Sequence, residues 1–379
     1  MTPSATVIVT NHDYEPYVAD AIESVLAQTE AAELVVVDDG STDGSADVIR
    51  RFEDVATTIF QPNAGQAAAM NAGYVASNSA IVCFLDADDR LAPTAMRTAR
   101  EALEPGVVGA HWRLCEVDGR GRRTGGMRPR RELGEGDLRG LLIERGPDSY
   151  AHPPTSGSAW ARWFLDRVMP LPELERELGI GSASADAYLA TLAPLHGRLA
   201  CAPDGQGDYR LHETSDYSGT GFSERLTRDL ATYDARCRAL SQECARVGVE
   251  PDADRWRQGA WITRLARAAE TIEATVPSGQ PFLLIDDAEW AMDALHGRRA
   301  VPFPERDGRW WGPPADGHAA VCELERARAQ GVRHVVVGWP AWWWLGHYGQ
   351  LYETLRSDAK VLRRSDDVLI FEFVDAEAA

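Results

Sequence analysis

The first hundred residues alternate between short apolar segments and segments with helical periodicity, and this alternation constrains the fold more than any other feature. The apolar segments contain few alternating polar residues; they are TVIVT (6–10), LVVVDD (34–39) and AIVCFLD (80–86). Strands of this kind lie in parallel sheets whose two faces are both covered by helices. The sequence therefore predicts an α/β fold built on a mainly parallel sheet.

Polar clusters follow these three segments, at the points where the strands should end. The first ends in Thr10 and Asn11, the second in Asp38 and Asp39, and Asp86 begins an Asp-Ala-Asp sequence after the third. Ligands bind at the carboxyl ends of the strands in open α/β sheets. We therefore expect the three polar strand ends to line one crevice.

The segment IVCFLDADDRL (81–91) places three carboxylates, Asp86, Asp88 and Asp89, around a single alanine. Carboxylates this close raise one another's pKa unless a positive charge lies among them. Mg²⁺ and Mn²⁺ prefer oxygen ligands and commonly lie between one or two carboxylates and the phosphates of a substrate. The alternative is a solvated acidic turn in which Asp89 caps the next helix. Both interpretations are open at this point.

Three further polar residues have both a structural and a functional interpretation. Asp39 either accepts hydrogen bonds from a base or ribose, or lies in a turn that caps the following helix, where Asp43 and Ser45 are also placed to cap. Asp186 is either favoured by the dipole of a first helical turn or acts as a general base. His212 is either an ordinary surface histidine or an imidazole ligand to a metal.

The charge balance argues against several classes of function. The chain has 379 residues with 58 acidic and 39 basic side chains, a formal net charge of −19, which argues against a surface for nucleic acid or an anionic membrane. Lys360 is the only lysine, and the phosphate-binding pattern G-x-x-x-x-G-K-S/T does not occur. The six cysteines are scattered without a C-x-x-C pair, which argues against a zinc site and a disulfide framework.

The N-terminal segment does not have the basic region of a signal peptide. No apolar stretch approaches the roughly 20 residues that span a bilayer. These features predict a soluble, cytoplasmic protein. Peripheral membrane contact and the oligomeric state are left open.

The residue composition and the hydrophobic pattern change more than once in the later sequence. An arginine- and glycine-rich segment, DGRGRRTGGMRPRR (118–131), is typical of a loop or hairpin, and residues 222–275 have amphipathic helical patterns. Beyond them, PFLLIDD and HVVVGWP are buried-strand runs on either side of a helix. We therefore predict a first domain over 1–220, a helical connector over 221–278 and a small accessory α/β domain over 279–379.

The last of these segments contains a cluster of tryptophans: Trp310, Trp311, Trp339, Trp342, Trp343 and Trp344. Aromatic faces stack on sugar rings, so the cluster could form a platform for an acceptor. Tryptophans in such runs more often pack between a helix and a sheet. We interpret the cluster as core or interface packing.

Seven segments occur in order between residue 6 and about residue 218: VIVTNHDYEPYVADAIESVLAQT, LVVVDDGSTDGS, NAGQAAAMNAG, FLDADD, PPTSGSAWAR, ADAYL and YRLH. In this combination the chain resembles a family-two inverting glycosyltransferase with the GT-A fold. The resemblance implies a Rossmann-like nucleotide-sugar domain in which FLDADD carries the DXD motif. More than half of the chain is covered.

The resemblance implies roles for twelve residues, carried over by position. They are Thr10, Asn11 and Asp39 for the base and ribose; Asn63, Gly65 and Asn71 beside the nucleotide; Asp86 near the ribose or sugar; Asp88 on the metal; His212 as a late metal or phosphate contact; Ser156 and Gly157 facing donor and acceptor; and Asp186 as the base.

Three positions depart from the pattern of the family. Ala185 precedes Asp186 where the family usually has glutamate. Met70 precedes Asn71 where a basic residue is common, and Ser158 stands where asparagine is expected. These departures bear on the donor sugar more than on the chemistry.

The expected function is transfer of a sugar from a nucleoside diphosphate, with UDP as the default, to an acceptor hydroxyl, with inversion and with Mn²⁺ or Mg²⁺ as cofactor. Sugar-nucleotide-forming nucleotidyltransferases open with a glycine-rich basic loop, whereas TNHDYEPY (10–17) stands here. Phosphohydrolases with a D-x-D nucleophile pair generally need a downstream lysine. A non-catalytic sugar-nucleotide-binding module is the remaining alternative, and it differs from the enzyme only in turnover.

Overall fold

The computed structural model describes residues 5–174, 185–212 and 221–374. It divides into two compact units. The first contains the described residues of 5–212 together with Ala231–Arg257, and the second contains the described residues of 221–230 and 258–374. This boundary assigns residues of the predicted connector to both units, and the three-domain division stays a prediction.

The first unit is built on two sheets. Its described strands are β1 (Ala5–Asn11), β2 (Glu33–Asp39), β3 (Thr57–Gln61), β4 (Ile81–Asp86), β5 (Arg90–Leu91), β6 (Val107–His111), β7 (Leu114–Asp118), β8 (Arg123–Arg128), β9 (Ser158–Ala161), β10 (Arg198–Cys201) and β11 (Gly207–Leu211). Seven of these form one sheet in the order β10-β6-β9-β4-β1-β2-β3.

The seven-stranded sheet is mainly parallel. Strand β1 pairs in parallel with both β2 and β4, and β3 and β10 also pair in parallel with their neighbours, whereas β9 runs antiparallel to β4 and β6. The register places Thr10 opposite Asp86 and Asn11 opposite Asp38. The predicted α/β class with a mainly parallel sheet is therefore confirmed, and three polar strand ends meet at one edge.

The second sheet of this unit has the order β5-β11-β7-β8. Strand β11 pairs with β5 through Asp208 and Arg90, and in parallel with β7. This pairing matters for the site because β5 follows the acidic strand end of β4, while β11 leads directly to His212.

Helices cover the larger sheet. The described helices between residues 5 and 212 are α1 (Val18–Leu26), α2 (Ser45–Arg50), α3 (Gln66–Ala76), α4 (Ala95–Ala102), α5 (Arg139–Arg145), α6 (Arg162–Val168) and α7 (Ala185–His196). The apolar face of α1 buries Ile22 and Val25 against Val7 and Val9 of β1, within one core cluster. Because burial of apolar surface is the main driving force of folding, these contacts stabilise the sheet whose edge carries the polar strand ends.

Three helices follow in the region of the predicted connector: α8 (Phe222–Arg246), α9 (Ala253–Gly259) and α10 (Trp261–Thr275). Within the first unit, Arg236 of α8 makes a two-point ion pair with Asp148, at 2.6 and 3.0 Å. Among the described residues, no helix is both long enough and apolar enough to cross a membrane.

The second unit is also α/β. Its described strands are β12 (Phe282–Ile285), β13 (Ala294–Leu295), β14 (Arg298–Pro302), β15 (Glu305–Arg306), β16 (Arg309–Trp310), β17 (His334–Gly338), β18 (Ala359–Arg364) and β19 (Val368–Phe373), and its further helices are α11 (Gly317–Ala329), α12 (Trp343–His347) and α13 (Gly349–Asp358). The main sheet has the order β13-β14-β12-β17-β19-β18.

The tryptophan cluster of this unit is only partly buried. Trp344 lies in one core cluster of this unit and the partly buried Trp339 packs against another, as the packing interpretation requires. Trp311, Trp342 and Trp343 are instead exposed by 42%, 39% and 47%. For these three residues core packing is wrong, and packing at a domain interface stays a prediction.

Candidate active site

A cavity of about 830 Å³ lies in the first unit, at the edge of the sheet where β1, β2 and β4 end. Eight of the twelve residues that the resemblance selected line it: Thr10, Asn11, Asp39, Asn63, Gly65, Asp86, Asp88 and Asp186. Residues up to 176 positions apart in the sequence, from Thr10 to Asp186, therefore face one space.

Asp39 holds the loop that leads into helix α3. Its carboxylate accepts hydrogen bonds from the side chain of Gln61 at 2.7 Å and from the backbone N–H groups of Ala64, at 3.1 Å, and Gly65, at 2.8 Å. The capping alternative for helix α2 does not hold for this residue, because Gly44 is the cap position there and Asp43 accepts from the N–H of Ser45.

The glycine after Asp39 makes this arrangement sterically feasible. Gly40 has a φ of +72°, and a Cβ at this position would lie only 2.4 Å from the backbone nitrogen of Asn63. A side chain would therefore be strained by its backbone conformation and would also push the loop away.

Asn11 and His12 complete this side of the cavity. The amide nitrogen of Asn11 donates to the carboxylate of Asp38 at 2.8 Å and to the hydroxyl of Ser41 at 2.9 Å, so it fixes the turn after β2. The ring of His12 contacts the carbonyl oxygen of Asp39 at 2.9 Å and the side chain of Asn63 at 3.0 Å. His12 lines the cavity although the sequence reasoning did not select it.

The centre of the cavity is strongly acidic. Burial, followed by the negative charges of Asp88 and Asp186, raises the pKa of the Asp86 carboxyl to about 8. Gln66 partly offsets this by donating from its side-chain amide to Asp86 at 2.8 Å. The three neighbouring carboxylates therefore favour the binding of a cation.

Asp88 and His212 lie together, as the metal interpretation requires. The Nε2 atom of His212 is 2.9 Å from Oδ2 of Asp88, and the two side chains are only 5% and 14% exposed. The rings of Tyr14 and Tyr17 enclose the imidazole, with centroid distances of 5.6 and 4.9 Å. His212 is thus not an ordinary surface histidine.

This pair is not a complete metal site by itself. Across the described ranges, no group of three or more His, Cys, Asp or Glu side chains is arranged to hold a metal ion. Oxygen and imidazole ligands nevertheless suit Mg²⁺ or Mn²⁺ when phosphate oxygens supply the remaining positions. The residues present fit a metal that binds together with a phosphorylated ligand.

Asp89 has a structural role, in the loop between β4 and β5. It is 2% exposed, and its carboxylate accepts from the backbone N–H of Arg210 at 3.0 Å. Burial, and then the charges of Asp88 and Asp86, raises the pKa of Asp89 well above its usual range. The helix-capping alternative is wrong, since α4 begins at Ala95 with Thr94 at its N-cap position and without a side-chain cap bond.

Arg210 supplies a positive charge directly behind the acidic strand end. Its Nε atom donates to the carbonyl oxygen of Asp88 at 2.8 Å, and its terminal nitrogen donates to Asp20 at 3.0 Å. The guanidinium also lies over the ring of Tyr17, at 4.7 Å from the centroid. The sequence reasoning missed this residue, although it belongs to the YRLH segment.

Asp186 stands in the first turn of helix α7 and lines the cavity. Its negative charge contributes to the raised pKa of Asp86. A carboxylate in a first helical turn is favoured by the helix dipole, which does not prevent it from accepting a proton across the cavity. Both interpretations of Asp186 are therefore compatible with its position.

Four of the selected residues do not line the cavity. His212 lies behind Asp88, as described above. Asn71 points away and forms paired hydrogen bonds with the backbone of Leu171, at 2.9 and 2.7 Å. Ser156 and Gly157 are buried in a short 3₁₀ turn, where the Ser156 hydroxyl accepts from the N–H of Asp86 at 3.1 Å. They support the acidic strand end, and the neighbouring Thr155 lines the cavity instead.

An arginine-rich wall was also missed by the sequence reasoning. Arg128, Arg130, Arg131 and His152 also line the cavity. The available signal was the run MRPRR in a chain with a net charge of −19, since such a dense cluster of cations is unusual there.

Comparison with known proteins identifies the family of this chain. The family model described as glycosyl transferase family 2 matches residues 6–146. An uncharacterized glycosyltransferase from Nostoc sp. is 31% identical over 251 residues, which cover 64% of this chain and 76% of that protein. The succinoglycan biosynthesis protein ExoU of Rhizobium meliloti is 42% identical over 91 residues, covering 23% of this chain and 27% of that protein.

Solved structures are similar at low sequence identity. Staphylococcus aureus TarS 1-349 has a TM-score of 0.44 and 16% identity, with 70% of each chain covered. The mannosyltransferase PcManGT from Pyrobaculum calidifontis, in complex with GDP-Man and Mn²⁺, has a TM-score of 0.44 and 22% identity, with 73% of this chain and 77% of that chain covered.

Proposed function

This chain belongs to glycosyltransferase family 2, and we propose that it is a metal-dependent enzyme that transfers a sugar from a nucleoside diphosphate to an acceptor hydroxyl with inversion. The observation that carries the proposal is the convergence of Asp39, Asp86, Asp88 and Asp186 on one cavity, with His212 against Asp88. These groups would supply the three functions that the transfer needs: nucleotide binding, charge stabilisation at the leaving group and removal of a proton.

The nucleotide would occupy the side of the cavity formed by β1, β2 and the start of α3. Thr10, His12, Asn63 and Gly65 face this space. Because Asp39 already accepts three hydrogen bonds from the 61–65 loop, it would act largely by positioning that loop. UDP is the nucleotide we propose first, on the basis of the family resemblance.

Asp88 and His212 would hold a divalent cation, Mg²⁺ or Mn²⁺, on the diphosphate. Such a cation stabilises the negative charge that develops on a departing diphosphate. Asp86 would lie between the cation and the sugar. Because its pKa is raised, a positive charge nearby would favour its ionised form. Arg210 would keep the Asp88 segment in place from behind.

Asp186 would be the general base. It would accept the proton of the acceptor hydroxyl while the hydroxyl oxygen attacks the anomeric carbon, and the bond to the diphosphate oxygen would break on the opposite side. In-line displacement of this kind inverts the anomeric centre. A positioned base contributes about 10²- to 10⁴-fold to the rate.

A panel of sugar nucleotides, assayed for release of nucleoside diphosphate with Mn²⁺, with Mg²⁺ and with chelator, tests this proposal. We expect release from at least one donor with metal, and Asp88→Ala should lose metal-dependent nucleotide binding. If the Asp88→Ala variant and the chelated protein bound nucleotide as tightly as the intact enzyme, the metal assignment would be wrong. Tight binding of a donor without turnover under any condition would favour a non-catalytic sugar-nucleotide-binding module.

A further inference from the structure

Two arginines of the cavity wall are available for a ligand. Arg128 is paired with Glu116 at 2.6 Å, and Glu116 is buried. Arg130 and Arg131 are exposed, and within the described part of the chain neither makes a hydrogen bond or an ion pair. Because the chain carries 58 carboxylates against 39 basic side chains, leaving two adjacent guanidinium groups without an acidic partner in a cavity is a specific arrangement.

These arginines lie on the side of the cavity that carries the proposed base. The loop that contains them continues to Gly134, whose N–H donates to the carbonyl oxygen of Ala151 at 3.0 Å. The hydroxyl of the adjacent Tyr150 donates to the carbonyl oxygen of Ala190 in helix α7. Since α7 also carries Asp186, these contacts join the arginine loop to the base. The proposed nucleotide side of the cavity is formed by β1 and β2. In the larger sheet these two strands lie on one side of β4, whereas β9, β6 and β10 lie on the other.

The electrostatics of the cavity give these arginines a specific use. Asp86, Asp88 and Asp186 repel an anionic molecule that approaches the base. A neutral acceptor would need no compensation, and the donor's diphosphate has its own place beside Asp88 and His212. An acceptor with its own negative charge would need cations next to Asp186.

We propose that the acceptor carries an acid group, a phosphate monoester or a carboxylate, and that Arg130 and Arg131 bind it. The inference rests on the proposed function, because it takes the Asp186 side of the cavity as the acceptor side. Guanidinium groups suit this role because they form paired, charge-assisted hydrogen bonds with phosphate and carboxylate oxygens. The pair would set acceptor specificity and would not take part in bond breaking.

The test uses the full chain and sn-glycerol 3-phosphate as a probe, with glycerol as its neutral counterpart and glycerate as its carboxylate counterpart. Binding is followed by ligand-observed NMR in chelator, so that no metal at Asp88 can hold the probe. The variant R130Q/R131Q is compared with R97Q/R120Q, which removes the same charge from two exposed positions that do not line the cavity.

We expect at least one acid probe to bind and glycerol not to bind. R130Q/R131Q should weaken binding of the acid probe by about tenfold or more, because the loss of one hydrogen bond to a charged group lowers affinity by about that factor. The control R97Q/R120Q should stay within about twofold of the unmodified chain, since it changes only the distant field. Equal affinities of the two double variants, or equal binding of glycerol and the acids, would overturn the proposal.

A second measurement separates the acceptor from the donor. Calorimetry with a sugar nucleotide and Mg²⁺ should give affinities for R130Q/R131Q within about threefold of the unmodified chain, because the diphosphate is held elsewhere. A tenfold loss here would assign the arginines to the donor and overturn the proposal. A chain that released no nucleotide from any donor would contradict the proposed function, whereas the glycerol 3-phosphate result would still decide what the arginines bind.

Discussion

Replacing Arg210 by methionine should loosen the acidic strand end far more than replacing the neighbouring Arg90 in the same way. The side chain of Arg210 is 2% exposed and donates to the carbonyl oxygen of Asp88 at 2.8 Å and to Asp20 at 3.0 Å. Arg90 also makes an ion pair, with Asp208 at 2.7 Å, but the two side chains are 32% and 21% exposed. Arg210 lies in β11 and Arg90 in the paired strand β5, so the two variants are a matched pair.

The expected difference follows from these contacts. A hydrogen bond to a charged group contributes about 1.5–3 kcal/mol, and stacking of a guanidinium on Tyr17 adds about 0.5–1 kcal/mol. Asp20 is 46% exposed and regains water when the arginine is lost, so we count mainly the Asp88 contact and the stacking. The cost of Arg210→Met is then about 3 kcal/mol, or about 100-fold in a local opening equilibrium. Arg90→Met should cost about 1 kcal/mol or less.

Hydrogen exchange measured by mass spectrometry reports this opening directly, on peptides that cover β4, β5 and β11. Arg210→Met should accelerate exchange there by about two orders of magnitude, while Arg90→Met should accelerate it by less than about tenfold. Peptides of the second unit serve as the internal reference. The reasoning would be refuted if the two variants exchanged at similar rates, because burial of the guanidinium would then contribute nothing.

Three further outcomes are expected. Asp186→Asn should lower turnover by about 10²- to 10⁴-fold while donor affinity stays within about threefold; equal losses in both would indicate a structural aspartate. Gly40→Ala should lower the thermal midpoint more than Gly106→Ala, because both have positive φ but only at Gly40 does a Cβ meet the backbone of Asn63. Burial lowers the pKa of His111 to about 4, so stability should be full above pH 6.5 and fall as the pH drops from there towards 4. Between pH 8 and pH 5, the free energy of unfolding should fall by about 2 kcal/mol more in the wild type than in His111→Gln, as measured by denaturation at both pH values.

The amino-acid sequence by itself determined the sheet and its polar edge. Apolar runs without alternation can only be buried on both faces, and this requirement made β1, β2 and β4 central parallel strands. Once these strands are parallel, Thr10, Asp39 and Asp86 must lie at the same edge, whatever the rest of the chain does. The helix that carries Asp186 in its first turn could also be expected from the local sequence.

The tertiary structure alone decided which side chains share the site. His212 meets Asp88 across 124 residues because β11 pairs with β5, the strand that follows Asp88 and Asp89, and no local pattern specifies that pairing. The same pairing buries Arg210 behind the acidic strand end, and the hairpin of β7 and β8 brings the arginine wall to the cavity. Asn71, in contrast, does not line the cavity, because its side chain forms hydrogen bonds with the backbone of Leu171. Local sequence fixes the direction and burial of each strand, whereas contacts between distant side chains depend on how the strands pair and the helices pack.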